Sequence, residues 1–128
     1  MPGPARAGLL IYAKNLASLS RFYEELLSLR ILTADGERVV AGNDDVQLVI
    51  HAIPAHIAAQ ITISSPPEPR AEQALKPFFT VASLAVAEEQ AREFGGFVFG
   101  PTWEGPGFVV RQACDPEGNI IQLRQSAE

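Results

Sequence analysis

The sequence predicts an α+β fold made of two copies of one βαβββ unit, in which a strand and a helix precede three more strands. Two observations predict it. Short segments of alternating apolar and polar residues, bounded by turn residues, flank two segments whose apolar residues have helical spacing. The same order of elements also occurs twice in 128 residues. We expect residues 1–128 to form a single domain, with repeats at about 7–53 and 76–125 and a connection at about 54–75.

The first copy begins with a predicted strand at 8–14, and Asn15 is the expected N-cap of the helix that follows. Leucine and aromatic residues recur at three- and four-residue spacing through about Leu27, which predicts an amphipathic helix. Turn residues then separate three predicted strands, at 29–33, 38–41 and 46–52.

The connection and the second copy follow the same logic. Residues 60–64 alternate, which predicts a strand able to pair with an edge or a second subunit, whereas the prolines of 66–69 predict an exposed linker. Ser83 is the expected N-cap of a second helix, which Gly95 and Gly96 close. The predicted strands of this copy are 77–81, 97–99, 108–114 and 120–124, with a loop at 100–107 and a tight turn at 115–118.

Composition narrows the function classes. The formal charge of −5 argues against nucleic acid, since binding to phosphates requires clustered Lys and Arg; it favours a cationic ligand or simply solubility. No apolar run approaches the roughly 20 residues of a membrane span, and residues 1–6 are too short and proline-rich for a signal peptide. The single cysteine, Cys114, excludes an internal disulfide and predicts a reduced core thiol in the cytoplasm.

Strand alternation assigns one face of each strand to the core and the other to a ligand. The second faces combine apolar, aromatic and polar side chains, as a cavity for a small molecule requires, and Arg124 shares such a face with Gln122. Trp103, in the predicted loop, is expected to be a lid or a dimer contact, and Arg111 lies mid-strand in the last hairpin. The candidate ligand-binding residues are Leu10, Tyr12, Gln47, Val49, His51, Lys76, Phe78, Thr80, Trp103, Arg111, Ile120 and Gln122.

Two segments carry a resemblance to a known family. The first helix reads Ser-Arg-Phe-Tyr-Glu-Glu-Leu-Leu at 20–27, and the chain closes with Asp-Pro-Glu-Gly-Asn-Ile-Ile-Gln-Leu at 115–123. With the two βαβββ units, these segments resemble the glyoxalase/bleomycin-resistance/extradiol-dioxygenase superfamily, also called vicinal oxygen chelate proteins, over about residues 7–125. The resemblance implies that each unit curls into a half-barrel and that the two half-barrels enclose a cavity.

In family members with a catalytic metal, the resemblance implies ligands from the first and last strands of a unit. Those positions fall on Gly8, Gln47, Lys76 and Gln122 in this chain. None of them is the histidine or carboxylate that zinc, iron or nickel prefer, so we expect no metal, no other cofactor and no catalytic residue of the family.

Three function classes follow. The preferred one is a metal-free small-molecule binding protein, similar to bleomycin-resistance proteins and working as a homodimer, which sequesters a drug or metabolite. The second is a lyase, isomerase or dioxygenase, with a metal held by other residues or acid/base work by His51, Tyr12 or Lys76. The third is an accessory domain that binds protein through the apolar segment 57–63. Neither nucleic acid nor a membrane is an expected partner.

Overall fold

A computed structural model describes residues 5–127 of the chain. Residues 1–4, within the N-terminal segment considered above, and residue 128 lie outside this range. The described elements, in chain order, are β1 Gly8–Ala13, α1 Leu16–Leu27, β2 Arg30–Ala34, β3 Arg38–Gly42, β4 Gln47–Ala52, α2 Ala55–Ala58, β5 Phe78–Thr80, α3 Leu84–Glu93, β6 Phe97–Gly105, β7 Phe108–Cys114 and β8 Ile120–Ser126. The predicted α+β class and both βαβββ units are confirmed.

The two units have the same sheet topology. The first sheet has the order β1-β4-β3-β2 and the second the order β5-β8-β7-β6. In each, the first and last strands of the unit pair in parallel, and the remaining neighbours are antiparallel. Both helix caps are also as expected, because Asn15 accepts a hydrogen bond from Ser18 N–H at 3.1 Å and Ser83 accepts one from Val86 N–H at 3.2 Å.

One face of each sheet packs against the helices. Helix α1 contacts β3 and β4, α3 contacts β6, β7 and β8, and the two helices contact each other. The predicted core positions Leu48, Ile50, Ile121 and Leu123 are fully buried there, beside Leu19, Phe22 and Tyr23 of α1. No helix within residues 5–127 is both long enough and apolar enough to cross a membrane.

The other face of each sheet lies on the far side from this core, and we call these the two open faces. The first open face consists of Gly8, Leu10, Tyr12, Gln47, Val49 and His51, with their neighbours on β3. The second open face consists of Phe78, Thr80, Ile120, Gln122, Arg124, Phe108, Val110, Gln112, Phe99 and Trp103.

The turn between β7 and β8 joins the two units. The Glu117 carboxylate accepts hydrogen bonds from the backbone N–H groups of Lys14 and Asn15, both at 2.8 Å. These groups lie at the corner where β1 ends and α1 begins. Glu117 is only 6% exposed, so its buried carboxylate is satisfied by these two N–H groups and fixes the first unit against the second.

Asp115 holds the same turn together. Its carboxylate accepts hydrogen bonds from the Glu117 and Asn119 backbones, from the Asn119 amide, and from the Tyr23 hydroxyl at 2.7 Å. Burial raises the pKa of Asp115 above its usual range, and the hydrogen bonds from Tyr23 and Asn119 lower that pKa in part. Burial, followed by the nearby Asp115 charge, raises the pKa of Tyr23 well above its ordinary value. The tyrosine therefore acts as a hydrogen-bond donor.

Two predictions about irregular segments are wrong. Residues 100–107 are not a loop, because β6 runs on to Gly105; Gly100, with φ of 77°, interrupts the pairing and Trp103 resumes it opposite Val110. Residues 60–64 do not form a strand, because the Ile61 N–H bonds to the Ala58 carbonyl in the turn that ends α2.

The connection is also less exposed than its prolines predict. Pro67 is buried, and the Arg70 N–H donates to the Gly118 carbonyl at 2.9 Å. The Gln73 side chain bonds both the N–H and the carbonyl of Ile120, at 2.9 and 2.7 Å, as a neighbouring strand would. The Lys14 ammonium donates to the Ile61 carbonyl. The connection thus lines the gap between the units.

Candidate functional site

A cavity of about 400 Å³ lies between the two units, within the size range of small-molecule sites. Strand β1 forms one wall with Leu10 and Tyr12, and the beginning of β8 forms the other with Ile120. Residues of the connection, among them Gln73 and Leu75, close the gap between them. Three of the predicted ligand-binding residues therefore meet in one cavity.

From Tyr12, the first open face extends beyond this cavity and holds three more of the predicted residues, Gln47, Val49 and His51. Tyr12 pairs in register with His51, and their rings lie 5.6 Å apart between centroids. The His51 Nδ1 atom is 2.8 Å from the Ala52 carbonyl, which only accepts, so Nδ1 carries a proton and donates this hydrogen bond. Gln47 and Val49 lie on the same face of β4, and both are half-buried.

The second open face is aromatic. Phe78 is 56% exposed and Trp103 43% exposed, and the Phe97 and Phe99 rings lie 5.7 Å apart on β6, the strand that also carries Trp103. Phe78 pairs with Gln122, and Gln122 pairs with Gln112, so two carboxamides lie in the middle of this aromatic surface. Such a surface suits a planar ligand that also forms hydrogen bonds.

Among the residues that the structure describes, Arg124 is the only positively charged side chain on the second open face. Its guanidinium carbon is 3.7 Å from the centroid of the Phe78 ring and 4.3 Å from that of Phe108. Both distances are well within the range of a cation–π interaction. Within residues 5–127 the buried Arg124 Nε atom has no hydrogen-bond partner.

Four more of the predicted residues lie outside the cavity between the two units. Arg111 lies on the helix side of β7, where its guanidinium pairs with Glu88 at 2.7 Å and donates to the Gly100 carbonyl at 3.0 Å. Trp103 is a strand residue and not part of a lid. Lys76 is exposed and precedes β5, and Thr80 pairs with Arg124 at the other end of that strand.

The four positions that the family resemblance marks for a metal do not fit one. Gln47 and Gln122 offer neutral carboxamides and Lys76 an ammonium, whereas transition metals in proteins prefer imidazole, thiolate or carboxylate. A Cβ atom at Gly8 would lie 2.5 Å from the Gln47 carbonyl oxygen, so no histidine fits there without a shift of the backbone. Among the described residues, no three His, Cys, Asp or Glu side chains are grouped closely enough to hold a metal ion.

Cys114 offers no nucleophile. The side chain is fully buried at the end of β7, and burial, with the nearby Asp115 charge, raises the pKa of its thiol to about 12. Thiolate is the reactive form, so the predicted core role is the one that the geometry supports.

Sequence reasoning left five residues of the second open face out of the ligand-binding set: Phe99, Phe108, Val110, Gln112 and Arg124. The alternation along β8 placed Arg124 on the same face as Gln122, and this was the sequence signal that could have identified Arg124 as a ligand-binding residue. The contribution of Phe108 and Gln112 depends on the register between β7 and β8, where Gln112 pairs with Gln122 and Phe108 pairs with Ser126.

Comparisons with known proteins identify the fold. No family model and no curated protein matches the sequence. A glyoxalase/bleomycin resistance protein/dioxygenase family enzyme from Burkholderia phytofirmans matches the structure with a TM-score of 0.70 and 14% identity, over 94% of this chain and 97% of that one. A bleomycin-binding protein complexed with bleomycin matches with a TM-score of 0.60 and 18% identity, over 96% and 99%.

A fosfomycin resistance protein from Mesorhizobium loti matches with a TM-score of 0.62 and 13% identity, over 99% of this chain and 94% of that one. Likeness at these identities shows the fold. This chain has the glyoxalase/bleomycin-resistance fold along nearly its whole length, as the two segments at 20–27 and 115–123 predicted.

Proposed function

We propose that this protein binds a small organic molecule without the help of a metal ion, as a carrier or sequestering protein. The proposal rests mainly on the backbone at Gly8, where a Cβ atom would approach the Gln47 carbonyl oxygen to 2.5 Å. The position that supplies a family histidine is therefore closed to any side chain, and Gln47, Lys76 and Gln122 do not replace the missing ligands.

The chain lacks the metal ligands of the family, but it has surfaces that suit an organic ligand. The cavity of about 400 Å³ is walled by Leu10, Tyr12 and Ile120, and burial of apolar ligand surface there is favourable by about 25 cal/mol per Å². On the two open faces, outside this cavity, Gln47 and Gln122 supply amide donors and acceptors for a ligand that extends onto them. A bleomycin-binding protein with this fold supports the same kind of function for this chain.

The first test is metal content. Protein purified without chelators is expected to contain zinc, nickel, manganese and iron far below one equivalent by plasma mass spectrometry. Glutamate at position 122 adds one carboxylate but no histidine, so the Gln122→Glu variant is expected to remain equally poor in metal. One equivalent of any of these metals in the wild-type protein would overturn the proposal.

The second test is ligand binding. A thermal-shift screen against small aromatic metabolites and cationic glycopeptide drugs is expected to give hits, because ligands that bind only the folded state raise its melting temperature. The Phe78→Ala variant should weaken the hits by about tenfold through lost contact area, which corresponds to about 1.4 kcal/mol.

Val86→Ala is the matched control for Phe78→Ala. Val86 is 52% exposed on α3, so its truncation also removes an exposed apolar side chain, but it does so away from both open faces. Equal effects of the two changes would count against a ligand on the second open face, and a screen without hits would count against the binding function.

The homodimer and the cytoplasmic location remain predictions. Leu10, Tyr12 and Phe78 are each more than half exposed in the single chain, and a second copy that covers the open faces would remove this apolar surface from water. Light scattering coupled to gel filtration tests it: a mass near 13.8 kDa at micromolar concentration contradicts the dimer.

A further inference from the structure

We infer that Arg124 is an anchor for an anionic group, so that the ligand of the second open face is a planar organic acid. The inference rests on the proposed small-molecule function and adds the charge of the ligand. It starts from the position of the guanidinium between two phenyl rings, 3.7 Å from that of Phe78 and 4.3 Å from that of Phe108.

The two rings hold the guanidinium in one orientation. Strand β8 lies between β5, which carries Phe78, and β7, which carries Phe108, so the rings approach Arg124 from opposite sides. An aromatic ring that stacks on a guanidinium covers its face and leaves the N–H donors, which lie in the guanidinium plane, available to a partner. A preorganised guanidinium loses little side-chain freedom when it binds a carboxylate.

Within residues 5–127, no hydrogen bond or ion pair to these donors is formed, and the clearest case is Nε. The Nε atom is shielded from solvent and unpaired, and no ion pair of the guanidinium is formed within residues 5–127. A half-buried cation without an acceptor is unfavourable unless a partner arrives. The neighbouring Arg111 shows the contrast, because it pairs with Glu88 and with the Gly100 carbonyl.

The surroundings of Arg124 also favour an anion. The side chains of the second open face are apolar, aromatic, hydroxyl or carboxamide, and none of those described is a carboxylate. The net charge of −5 attracts cations at a distance, but a contact between a guanidinium and a carboxylate is decided locally, since charges beyond about 10 Å are screened. The aromatic neighbours Phe78 and Trp103 favour a planar acid over inorganic phosphate.

The test compares 1-naphthoate with 1-naphthamide, which share a ring system and differ in charge. Binding is followed by calorimetry and by the indole N–H resonance of Trp103, the single tryptophan of the chain. Trp103 pairs with Val110, which pairs with Arg124, so the indole lies on the same row of the face, roughly 10 Å away at about 4.8 Å per strand.

Wild-type protein should bind the naphthoate at least about tenfold more tightly than the amide, as a hydrogen-bonded charge pair implies. Arg124→Gln should remove this preference, and Arg124→Lys should keep a part of it through charge without bidentate geometry. Arg111→Gln is the matched control, since it removes the same charge from the other face of the sheet and should leave the preference unchanged. Melting curves establish that each variant is folded.

Equal affinities of the wild-type protein for both probes would overturn the inference while leaving small-molecule binding intact. An unchanged preference in Arg124→Gln would overturn it as well, because the charge would then be recognised elsewhere. Absence of binding by either probe overturns the inference for aromatic acids, and the ligand screen with Phe78→Ala then decides the proposed function independently.

Discussion

Replacing Tyr23 by phenylalanine removes one buried hydroxyl and leaves the ring in place. Tyr23 is 1% exposed and its hydroxyl donates to the fully buried Asp115 carboxylate at 2.7 Å. A hydrogen bond to a charged group contributes about 1.5–3 kcal/mol, and the carboxylate left behind is fully buried. We expect the free energy of unfolding to fall by that amount at pH 7.

The corresponding change in melting temperature follows from chain length. At about 2.1 cal/mol/K per residue, the unfolding entropy of 128 residues is about 270 cal/mol/K, so 1 kcal/mol corresponds to about 4 °C. The Tyr23→Phe variant should therefore melt about 6–11 °C below the wild-type protein. Tyr12→Phe is the control, because Tyr12 is 57% exposed and should change the melting temperature by less than about 2 °C.

The cost of Tyr23→Phe should also depend on pH. Burial raises the pKa of Asp115 in the folded state above its value in the unfolded state. The stability linked to this carboxyl is therefore fully present below the unfolded-state pKa, and it is lost as the pH rises through the folded-state pKa. The Tyr23 hydroxyl lowers the pKa of Asp115, and without it that pKa rises further. The variant should thus lose more stability at pH 7 than near pH 4, as measured by urea unfolding. A cost below about 0.5 kcal/mol at pH 7, or one that is equal at both pH values, would refute this reasoning.

Two further predictions concern other positions of the packed structure. Gly8→Ala should destabilise the protein by about 1–3 kcal/mol, because the added Cβ would press on the Gln47 carbonyl. Gly36→Ala is the control and should not destabilise it, because a Cβ at position 36 meets nothing within 4 Å. Equal urea midpoints for the two variants would contradict the close approach at Gly8. Cys114, with a thiol pKa of about 12, should resist iodoacetamide at pH 8 in the folded protein and react once guanidinium unfolds it; rapid labelling of the folded protein, followed by mass spectrometry, would count against the buried thiol.

Local patterns in the sequence determined the elements and most of their faces. Period-two alternation assigned Leu48, Ile50, Ile121 and Leu123 to the core, and all four are fully buried. Cap residues and glycines fixed the helix ends, since their hydrogen bonds reach only three or four residues along the chain. The absence of histidine and carboxylate at positions 8, 47, 76 and 122 is likewise a property of the sequence, once the fold aligns them.

Only the tertiary structure decided what depends on pairing between distant strands. Phe108, Val109 and Val110 are all apolar, so the sequence did not say which face of β7 holds Arg111; the ion pair with Glu88 of α3 decides it. Trp103 lies in a strand and not in a loop because β6 resumes its pairing with β7 after Gly100. Arg124 acquires its two aromatic neighbours from strands 46 residues before it and 16 residues before it in the chain, because register in a sheet is set by the packed core and not by local sequence.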